Sequence, residues 1–395
     1  MWSLRNSRRK TDVVGDCIDK LHEKRRAVRE EGMEALEGFV PVDELDYRYF
    51  TVFDRCCASL RKGACREATL AYRAIGLLAL TVGAATADGV DCSKDILEKA
   101  LPVLEETLHA PSSGATTMVA SLDCLAAVTL AGTRRPEDAA PSVEAVWGAI
   151  RRAEDETKPS PEVLAAAVRA FALLLTTVGD LRSYPCTVKE AIIPFHDLAE
   201  LLECEHPDVR IAAGEALAVC AELNLTQHAS PEDIQVIEMI LFDLVADASG
   251  GQNLTEEQVE FFQQIADIMS QVGCPETEES MPSSYTSGRS VLRVSTWARL
   301  VQLNFLKRFL NKGFRKHLQD NLLFREQVDS SDAVGEADEQ PAGKGRRRGG
   351  GGGERGRRAG REGQAARGWE GETVELGHEE GSRHRMGEQE WFLPV

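Results

Sequence analysis

Five basic side chains near the C-terminal end of the sequence are interleaved with aromatic residues, and this mixture could bind phosphate groups. The basic residues are Lys307, Arg308, Lys312, Arg315 and Lys316, with His317 following directly. Phe305, Phe309 and Phe314 lie between them, and Trp297 precedes them. Basic side chains pair with phosphates and aromatic rings stack on bases, so the segment is typical of a nucleic-acid or partner-binding surface.

The charge distribution singles out the same segment. The chain of 395 residues carries a net charge of −18, with −21 on residues 1–290 and +7 on residues 291–325. The acidic part would repel phosphate backbones, whereas the short basic segment would attract them. The segment could bind nucleic acid or the ribosome, bind a protein partner, or pack against the acidic remainder of its own chain. The residues alone leave these three alternatives open.

Motifs for catalysis or metal binding are absent from the sequence. HExxH, G-x-S-x-G, P-loop and EF-hand patterns do not occur, and the ten cysteines form no C-x-x-C pair. The one match to G-x-G-x-x-G, at residues 351–356, lies in a Gly- and Arg-rich tail without a preceding strand. We therefore predict a protein that is not an enzyme, with no catalytic residue, cofactor, metal or small-molecule substrate.

The composition favours a helical protein. Hydrophobic residues make up 43% of the chain but aromatic residues only 6%, and Ala and Leu are abundant. No apolar run reaches the roughly 18 to 20 residues needed to cross a bilayer, and the longest candidate is residues 74–85. We therefore expect no membrane partner and an all-α fold.

A repeated pattern indicates how the helices are arranged. "VREEGMEALEGFV" begins at Val28 and "VRIAAGEALAVCA" begins at Val209, an offset of 181 residues. This is close to four periods of about 45 residues, within the range of HEAT and armadillo repeats. Apolar runs at 66–82, 117–131 and 161–178 each follow a more polar helix, at 44–61, 94–109 and 142–153. The pattern predicts an armadillo/HEAT-like α-solenoid of stacked helix pairs.

Five residues of the second copy of the repeat are predicted to have structural roles: Val209, Arg210, Gly214, Glu215 and Leu217. Val209 and Leu217 lie on one apolar stripe at helical spacing. Gly214 is expected where two helices cross closely, since Gly in mid-helix is about 1 kcal/mol less favourable than Ala. Arg210 and Glu215 are expected to form a polar contact between repeats.

Composition shifts divide the chain into five predicted parts. These are a disordered N-terminus at 1–11, the repeat domain at 12–272, a solvated linker at 273–292, a C-terminal helical module at 293–328 and a disordered low-complexity tail at 329–395. Within the module, Ser295 or Thr296 could cap a helix that runs to about Asn311, and a second helix would begin at Phe314.

Several of these segments together resemble the interferon-related developmental regulator family, in a plant-like form. They are "IGLLALTVG" (75–83), "TKPSPEVLAAAVRAFALLLTTV" (157–178), "DVRIAAGEALA" (208–218) and "STWARLVQLNFLKRFLNKGFRKHLQDN" (295–321). The resemblance covers some four fifths of the chain, from about Asp12 to Val328. Six residues match positions of the family's C-terminal module: Trp297, Lys307, Gly313, His317, Leu318 and Asn321.

The resemblance implies a non-enzymatic regulator of gene expression with an armadillo-type fold. It implies a transcriptional co-regulator that binds protein partners of the gene-expression machinery and is found in the nucleus and cytoplasm. It also implies, as an alternative, a translational regulator that binds the ribosome or RNA through the basic module. Members of the family commonly carry a Lys/Arg-rich stretch before the module, where this chain has "QNLTEEQVEFFQQ". This difference weakens the ribosomal alternative.

Overall fold

The computed structural model describes residues 12–36, 45, 48–62, 65–83, 92–110, 114–151, 159–178, 195–246, 254–270, 277–281 and 290–320. Within these residues the chain forms α-helices and one β-hairpin. The helices are α1 Val13–His22, α2 Arg26–Ala35, α3 Tyr49–Lys62, α4 Cys65–Val82, α5 Cys92–His109, α6 Ala115–Gly132, α7 Pro136–Arg151, α8 Pro161–Leu175, α9 Phe195–Leu202, α10 Pro207–Glu222, α11 Pro231–Ala246, α12 Glu256–Met269, α13 Trp297–Leu310 and α14 Phe314–Asp320. Short 3-10 turns occupy Leu225–His228 and Asn311–Gly313.

The first twelve helices form two layers. The even-numbered helices from α2 to α12 pack side by side in what we call the inner layer, and each odd-numbered helix packs on the outside of its even-numbered partner. The helix pairs follow the order of the chain, as in a stack of repeats. The predicted all-α solenoid is confirmed, and the predicted pairs of polar and apolar helices correspond to its outer and inner helices.

The inner helices are buried on nearly all sides because they have neighbours in both layers. In α6 almost every residue from Ser121 to Gly132 is buried. Small side chains such as Ala126 and Ala127 allow the neighbouring helices to approach closely, and a methyl group on Gly132 would lie 2.8 Å from the Cβ atom of Leu97 in α5. Alanine-rich sequence thus produces a densely packed inner layer.

Helix α6 also corrects one expectation. Among the described residues it is the helix that is long and apolar enough, by length and composition, to cross a membrane. From the sequence we expected no apolar run of that length. The helix contains the polar residues Ser121, Asp123 and Thr129 among its apolar ones. Most of α6 is buried against other helices, as in the core helix of a helical stack.

Capping residues explain where several helices begin. Helix α7 begins at Pro136 instead of the predicted 142, because proline is tolerated in a first turn that needs no N–H donor. Thr255 and Gln258 form a reciprocal capping box at the start of α12. Thr296 caps α13 by accepting a hydrogen bond from the N–H of Arg299 at 3.3 Å, as predicted for the module.

A β-hairpin lies within the segment that we predicted to be a solvated linker. Strand β1, Thr277–Met281, pairs antiparallel with strand β2, Ser290–Val294, from Thr277 opposite Val294 to Met281 opposite Ser290. Strands were not predicted for this linker at 273–292, and β2 continues to Val294, inside the predicted module. The sequence of β1 is polar, so only the alternation in "SVLRV" could have indicated a strand, and five residues are too few to be distinctive.

Other predictions lie outside the described residues. These are the disordered N-terminus at 1–11, the tail at 329–395 and the end of the C-terminal module from Asn321 onward.

Candidate interaction surface

Helix α13 lies on the inner layer of the repeats, in the same compact unit. Its N-terminal end is bonded to Glu222 of α10, and Gln302 at its middle donates a hydrogen bond to the hydroxyl of Thr176 after α8, at 2.9 Å. Near its C-terminal end, Arg308 pairs with Asp123 of α6 at 2.9 Å. The third alternative for the basic segment, packing within the protein, is therefore observed for this helix.

A single carboxylate holds the N-terminus of α13. The two oxygens of Glu222 accept hydrogen bonds from the backbone N–H groups of Trp297 and Ala298, each at 2.8 Å. These N–H groups have no acceptor within their own helix, and they lie at the positive end of its dipole. Glu222 at the end of α10 therefore anchors α13 by a charge-assisted contact.

Aromatic rings fill the space between α13 and the inner layer. Trp297 is only 1% exposed, and its ring makes an edge contact with the ring of Phe261 in α12. The ring of Phe261 in turn lies against Gly214, where an added Cβ atom would be 3.0 Å from its Cε1 atom. The close approach predicted at Gly214 is thus made to an aromatic side chain of the next repeat.

The same arrangement occurs at the other end of α13. The ring of Phe309 lies against Gly76 of α4, where an added Cβ atom would be 2.6 Å from the Cζ atom of the ring. Phe309 also stacks on Phe305, with ring centroids 5.4 Å apart. The guanidinium of Arg73 lies 5.9 Å from the centroid of Phe309.

The structure divides the predicted binding residues into two groups. Trp297 and His317 are buried, each 1% exposed, and Lys307 is half-buried, while Arg308 is exposed but paired with Asp123. The other three are exposed at the end of α13 and the start of α14, and we call them the basic edge: Lys312, Arg315 and Lys316.

The predicted interleaving of basic and aromatic residues does not produce a stacking surface. Phe305, Phe309 and Phe314 are buried in the protein core and are not open to the bases of a nucleic acid. The four-residue spacing of Phe305 and Phe309 places both on the face of α13 that packs inward, and the basic edge follows after the end of that helix. Of the three alternatives left open by the sequence, these rings therefore show packing within the protein.

The five predicted repeat residues lie in α10, although one predicted contact differs. Val209, Gly214 and Leu217 are buried as expected. Arg210, however, donates a hydrogen bond to the carbonyl of Cys204 at 3.3 Å. Glu215 accepts one from Asn304 of α13 at 3.5 Å. Glu215 therefore contacts the C-terminal helix, and Arg169 of the neighbouring helix α8 acts on it electrostatically.

The position of Glu215 beneath α13 affects its titration. Burial raises the pKa of its carboxyl group above the ordinary value of 4.5, and this effect exceeds the opposing effects of Arg169, of the hydrogen bond from Asn304 and of Arg308. An acid in such a place is more readily protonated than an exposed glutamate.

Beside the C-terminal end of α13, the inner layer forms a cavity of about 440 Å³, which we call the groove. Its lining residues are Thr69, Arg73, Thr116, Val119, Ala120, Asp123, Glu162, Ala165, Ala166, Arg169, Asp208, Arg308 and Phe309. Apolar side chains and charged side chains of both signs line it, with Arg169 3.6 Å from Asp208. Such a lining suits a peptide that carries both apolar and charged side chains.

The groove was not predicted from the sequence, although one signal was present. Arg73 and Arg169 occur in the matching strings "AYRA" (71–74) and "AVRA" (167–170), at an offset of 96 residues, or about two repeats. Equivalent positions of a solenoid recur on the same surface, so this match places both arginines on one face of the inner layer. The acidic lining residues show no comparable repetition.

Metal binding and thiol chemistry have little support in the described part of the chain. No group of three or more His, Cys, Asp or Glu side chains there could hold a metal ion. Burial raises the pKa of the thiols of Cys56, Cys124 and Cys220 above the ordinary value of 9.0, which keeps them protonated.

The two-layered helix pairs and the C-terminal helix across them define a helical-repeat protein with part of its inner surface occupied by its own chain. The sequence model of the interferon-related developmental regulator family matches residues 4–273. The chain belongs to this family.

Several known proteins are similar to the chain. Interferon-related developmental regulator 2 of Mus musculus is 27% identical over 79% of this chain and 70% of its own length. Interferon-related developmental regulator 1 of Homo sapiens is 22% identical over 79% of this chain and 69% of its own length. Among solved structures, an engineered protein aligns at a TM-score of 0.46, 16% identical over 65% of this chain and 98% of its own. A designed armadillo repeat protein aligns at 0.42, 16% identical over 65% of this chain and 99% of its own.

Proposed function

We propose that this protein is a non-enzymatic regulator of gene expression that acts as a scaffold for protein partners, as a transcriptional co-regulator. The observation that carries the proposal is the groove, which brings together side chains from α4, α6, α8, α10 and α13. Repeat proteins use the continuous surface of stacked helices to bind partners. Membership of the regulator family supports a regulatory role.

The groove can be altered without disturbing the core. Thr116 and Glu162 line it and are exposed, so Thr116→Arg and Glu162→Arg add bulk and charge without burying either. Chromatin-associated proteins captured by the intact chain from a nuclear extract should be lost from the double variant. Glu144→Arg, at an exposed position on the outer helix α7, is the matched control. Capture that is equal for both variants would remove the groove as the partner site.

A second candidate function is binding to the ribosome or RNA, and the basic edge favours it. Lys312, Arg315 and Lys316 are exposed, outside the face of α13 that packs on the repeats. Binding through such residues displaces counterions from phosphates and therefore weakens steeply as salt is raised. Together the two candidates imply residence in the nucleus and in the cytoplasm.

Sedimentation of the native protein through sucrose gradients at low and high salt tests this candidate. Movement with ribosomal particles at low salt should be lost at high salt, and also in the triple variant Lys312→Glu, Arg315→Glu, Lys316→Glu. Lys24→Glu with Arg25→Glu, two exposed basic residues at the start of α2, is the control. Free protein at both salt concentrations would exclude the ribosomal role.

A further inference from the structure

Helix α11 is apolar on two opposite sides, and only one of them is covered. Ile237, Ile240, Leu241 and Leu244 are buried against the neighbouring helices. Val236, Met239 and Phe242 are 41%, 58% and 71% exposed. Their three-residue spacing places them along the other side of the helix. An apolar side of a helix is normally buried, yet in the described part of the chain this second side remains exposed.

The place of α11 in the stack makes its exposed side unusual. Helices α11 and α12 form the last helix pair of the described repeats. The last repeat of a solenoid normally presents a polar outer face, because no further repeat covers it. Of the five large hydrophobic side chains that are exposed in the described part of the chain, three are on this one helix. Apolar residues scattered singly over a surface are normal, whereas a cluster of exposed apolar residues indicates an interaction site.

The charge around the stripe selects the kind of partner. Helix α11 contains Glu232, Asp233, Glu238 and Asp243 and no Lys or Arg. Of these, Glu232, Glu238 and Asp243 are exposed beside the apolar side chains. A surface with this charge repels nucleic acids and anionic membranes and attracts basic segments.

We propose that the stripe of Val236, Met239 and Phe242 is a docking site for a basic amphipathic helix of a partner protein. The apolar side of such a helix would pack on the three exposed side chains, as amphipathic helices pack through residues at three- and four-residue spacing. Its Lys or Arg side chains would reach Glu238 and Asp243, which flank the stripe. This surface is on an outer helix, whereas the groove is on the inner layer, so the two can be tested separately.

The probe for the test is a synthetic helical peptide of about 18 residues, or five turns, with Leu along one side and Lys along the other. Fluorescence anisotropy with the full-length protein measures its affinity. We expect Met239→Ser with Phe242→Ser to weaken binding at least tenfold, and Glu238→Gln with Asp243→Asn to weaken it and reduce its dependence on salt. Val13→Ser, which removes an exposed apolar side chain from α1, should leave the affinity unchanged.

All five substituted side chains are exposed, so circular dichroism should show the wild-type helix content in every variant. Three results would overturn the proposal: equal affinity for a scrambled peptide of the same composition, equal affinity for a peptide with Glu in place of Lys, or no effect of the Met239 and Phe242 substitutions. A dimer in sedimentation velocity that Phe242→Ser abolishes would also overturn it, because the stripe would then cover a second copy of this chain. Loss of partner capture in the groove variants would not change the affinity for this peptide, so the two proposals can fail separately.

Discussion

At the scale of single residues, two glycines show what the inner layer requires. Gly76 and Gly214 lie inside helices, where Ala would favour helix formation by about 1 kcal/mol. Each faces an aromatic ring, Phe309 in one case and Phe261 in the other, at a distance that leaves little room for a methyl group. The cost of glycine in the helix is offset by the burial of a large ring beside it.

Gly76→Ala should therefore destabilise the protein. The added Cβ atom would lie 2.6 Å from the Cζ atom of Phe309 and 3.1 Å from the Cβ atom of Ala127, so the ring or the helix must move. Overpacking of this kind typically costs about 1 to 3 kcal/mol. The free energy of unfolding in urea measures the effect.

Gly148→Ala is the matched control, because no atom other than the adjacent backbone of its own helix lies within 4 Å of the added methyl group. It should raise the free energy of unfolding by up to about 1 kcal/mol through helix propensity. A rise of similar size for Gly76→Ala would show that Phe309 does not press on this glycine.

Glu215 gives a prediction for pH dependence. Because burial raises the pKa of its carboxyl group above 4.5, the folded state binds a proton more tightly than the unfolded state does. The contribution of Glu215 to stability therefore falls as pH rises from the unfolded pKa through the higher folded one. Glu215→Gln keeps an acceptor for Asn304 and removes this fall, so its advantage over the wild type should increase from pH 4 to pH 7.

Urea unfolding at several pH values between 4 and 7 tests this expectation. Glu162→Gln, on the exposed side of α8, controls for the loss of one negative charge. A Glu215→Gln protein that becomes less stable than the wild type as pH rises would mean that attraction by Arg169 outweighs burial.

The residue types in the basic segment could be read from the sequence, but whether each side chain is buried or exposed could not. Trp297, Lys307 and Arg308 belong to α13, which packs on the repeats, and His317 is buried in α14. The sequence could not tell an aromatic residue that contacts a partner from one that fills the core, because both need a flat apolar ring. Only the glycines opposite the rings identify these aromatic residues as core residues. Such a glycine can be far away in the sequence: Gly76 and Phe309 are 233 residues apart.

At the scale of secondary-structure elements, local signals were enough for most helices. Helical periodicity located the pairs, and Thr296 with the Asn311–Gly313 turn marked the ends of α13. The hairpin was missed because pairing of β1 with β2 depends on backbone groups that a polar sequence does not reveal. The docking of α13 on α10 depends on contacts across 75 residues of chain, which periodicity cannot predict.

Glu222→Ala tests whether that docking is specific. The substitution leaves the N–H groups of Trp297 and Ala298 without their acceptor in a half-buried place. Hydrogen bonds to a charged group contribute about 1.5 to 3 kcal/mol, so the first turn of α13 should open more often. Amide hydrogen exchange at residues 297–300 should become faster, with a smaller change in the exchange of α4.

Glu200→Ala is the control, since Glu200 is an exposed residue of α9 whose pairing with His196 is also exposed. It should leave exchange in α13 unchanged. Equal exchange in the two variants would mean that the aromatic contacts alone hold the N-terminus of α13.

At the scale of the whole molecule, α13 changes how the repeats depend on one another. In a simple solenoid each repeat contacts only its neighbours, so the ends can unfold separately. Here one helix bonds to residues of α10 and α6, to the end of α8, and packs on Gly76 in α4. Repeats that do not touch one another are therefore linked through the same helix, which should make unfolding more cooperative.

The double variant Trp297→Ala, Phe309→Ala removes the two buried rings at the ends of α13. Each such truncation typically costs about 3 to 5 kcal/mol where the site cannot collapse. We expect the wild type to melt in one calorimetric transition over the described repeats, and the double variant to melt in a broader or divided one. Hydrogen exchange should then differ between α4 and α12, which α13 no longer connects.

Loss of stability alone must not be mistaken for loss of this link. Val143→Ala provides the comparison, because Val143 is a buried residue of the outer helix α7, away from α13. It should lower the melting temperature and leave a single transition, since the contacts of α13 remain. If Val143→Ala divides the transition as much as the double variant does, the repeats unfold separately whenever they are weakened. The C-terminal helix would then occupy the inner surface without coupling the repeats beneath it.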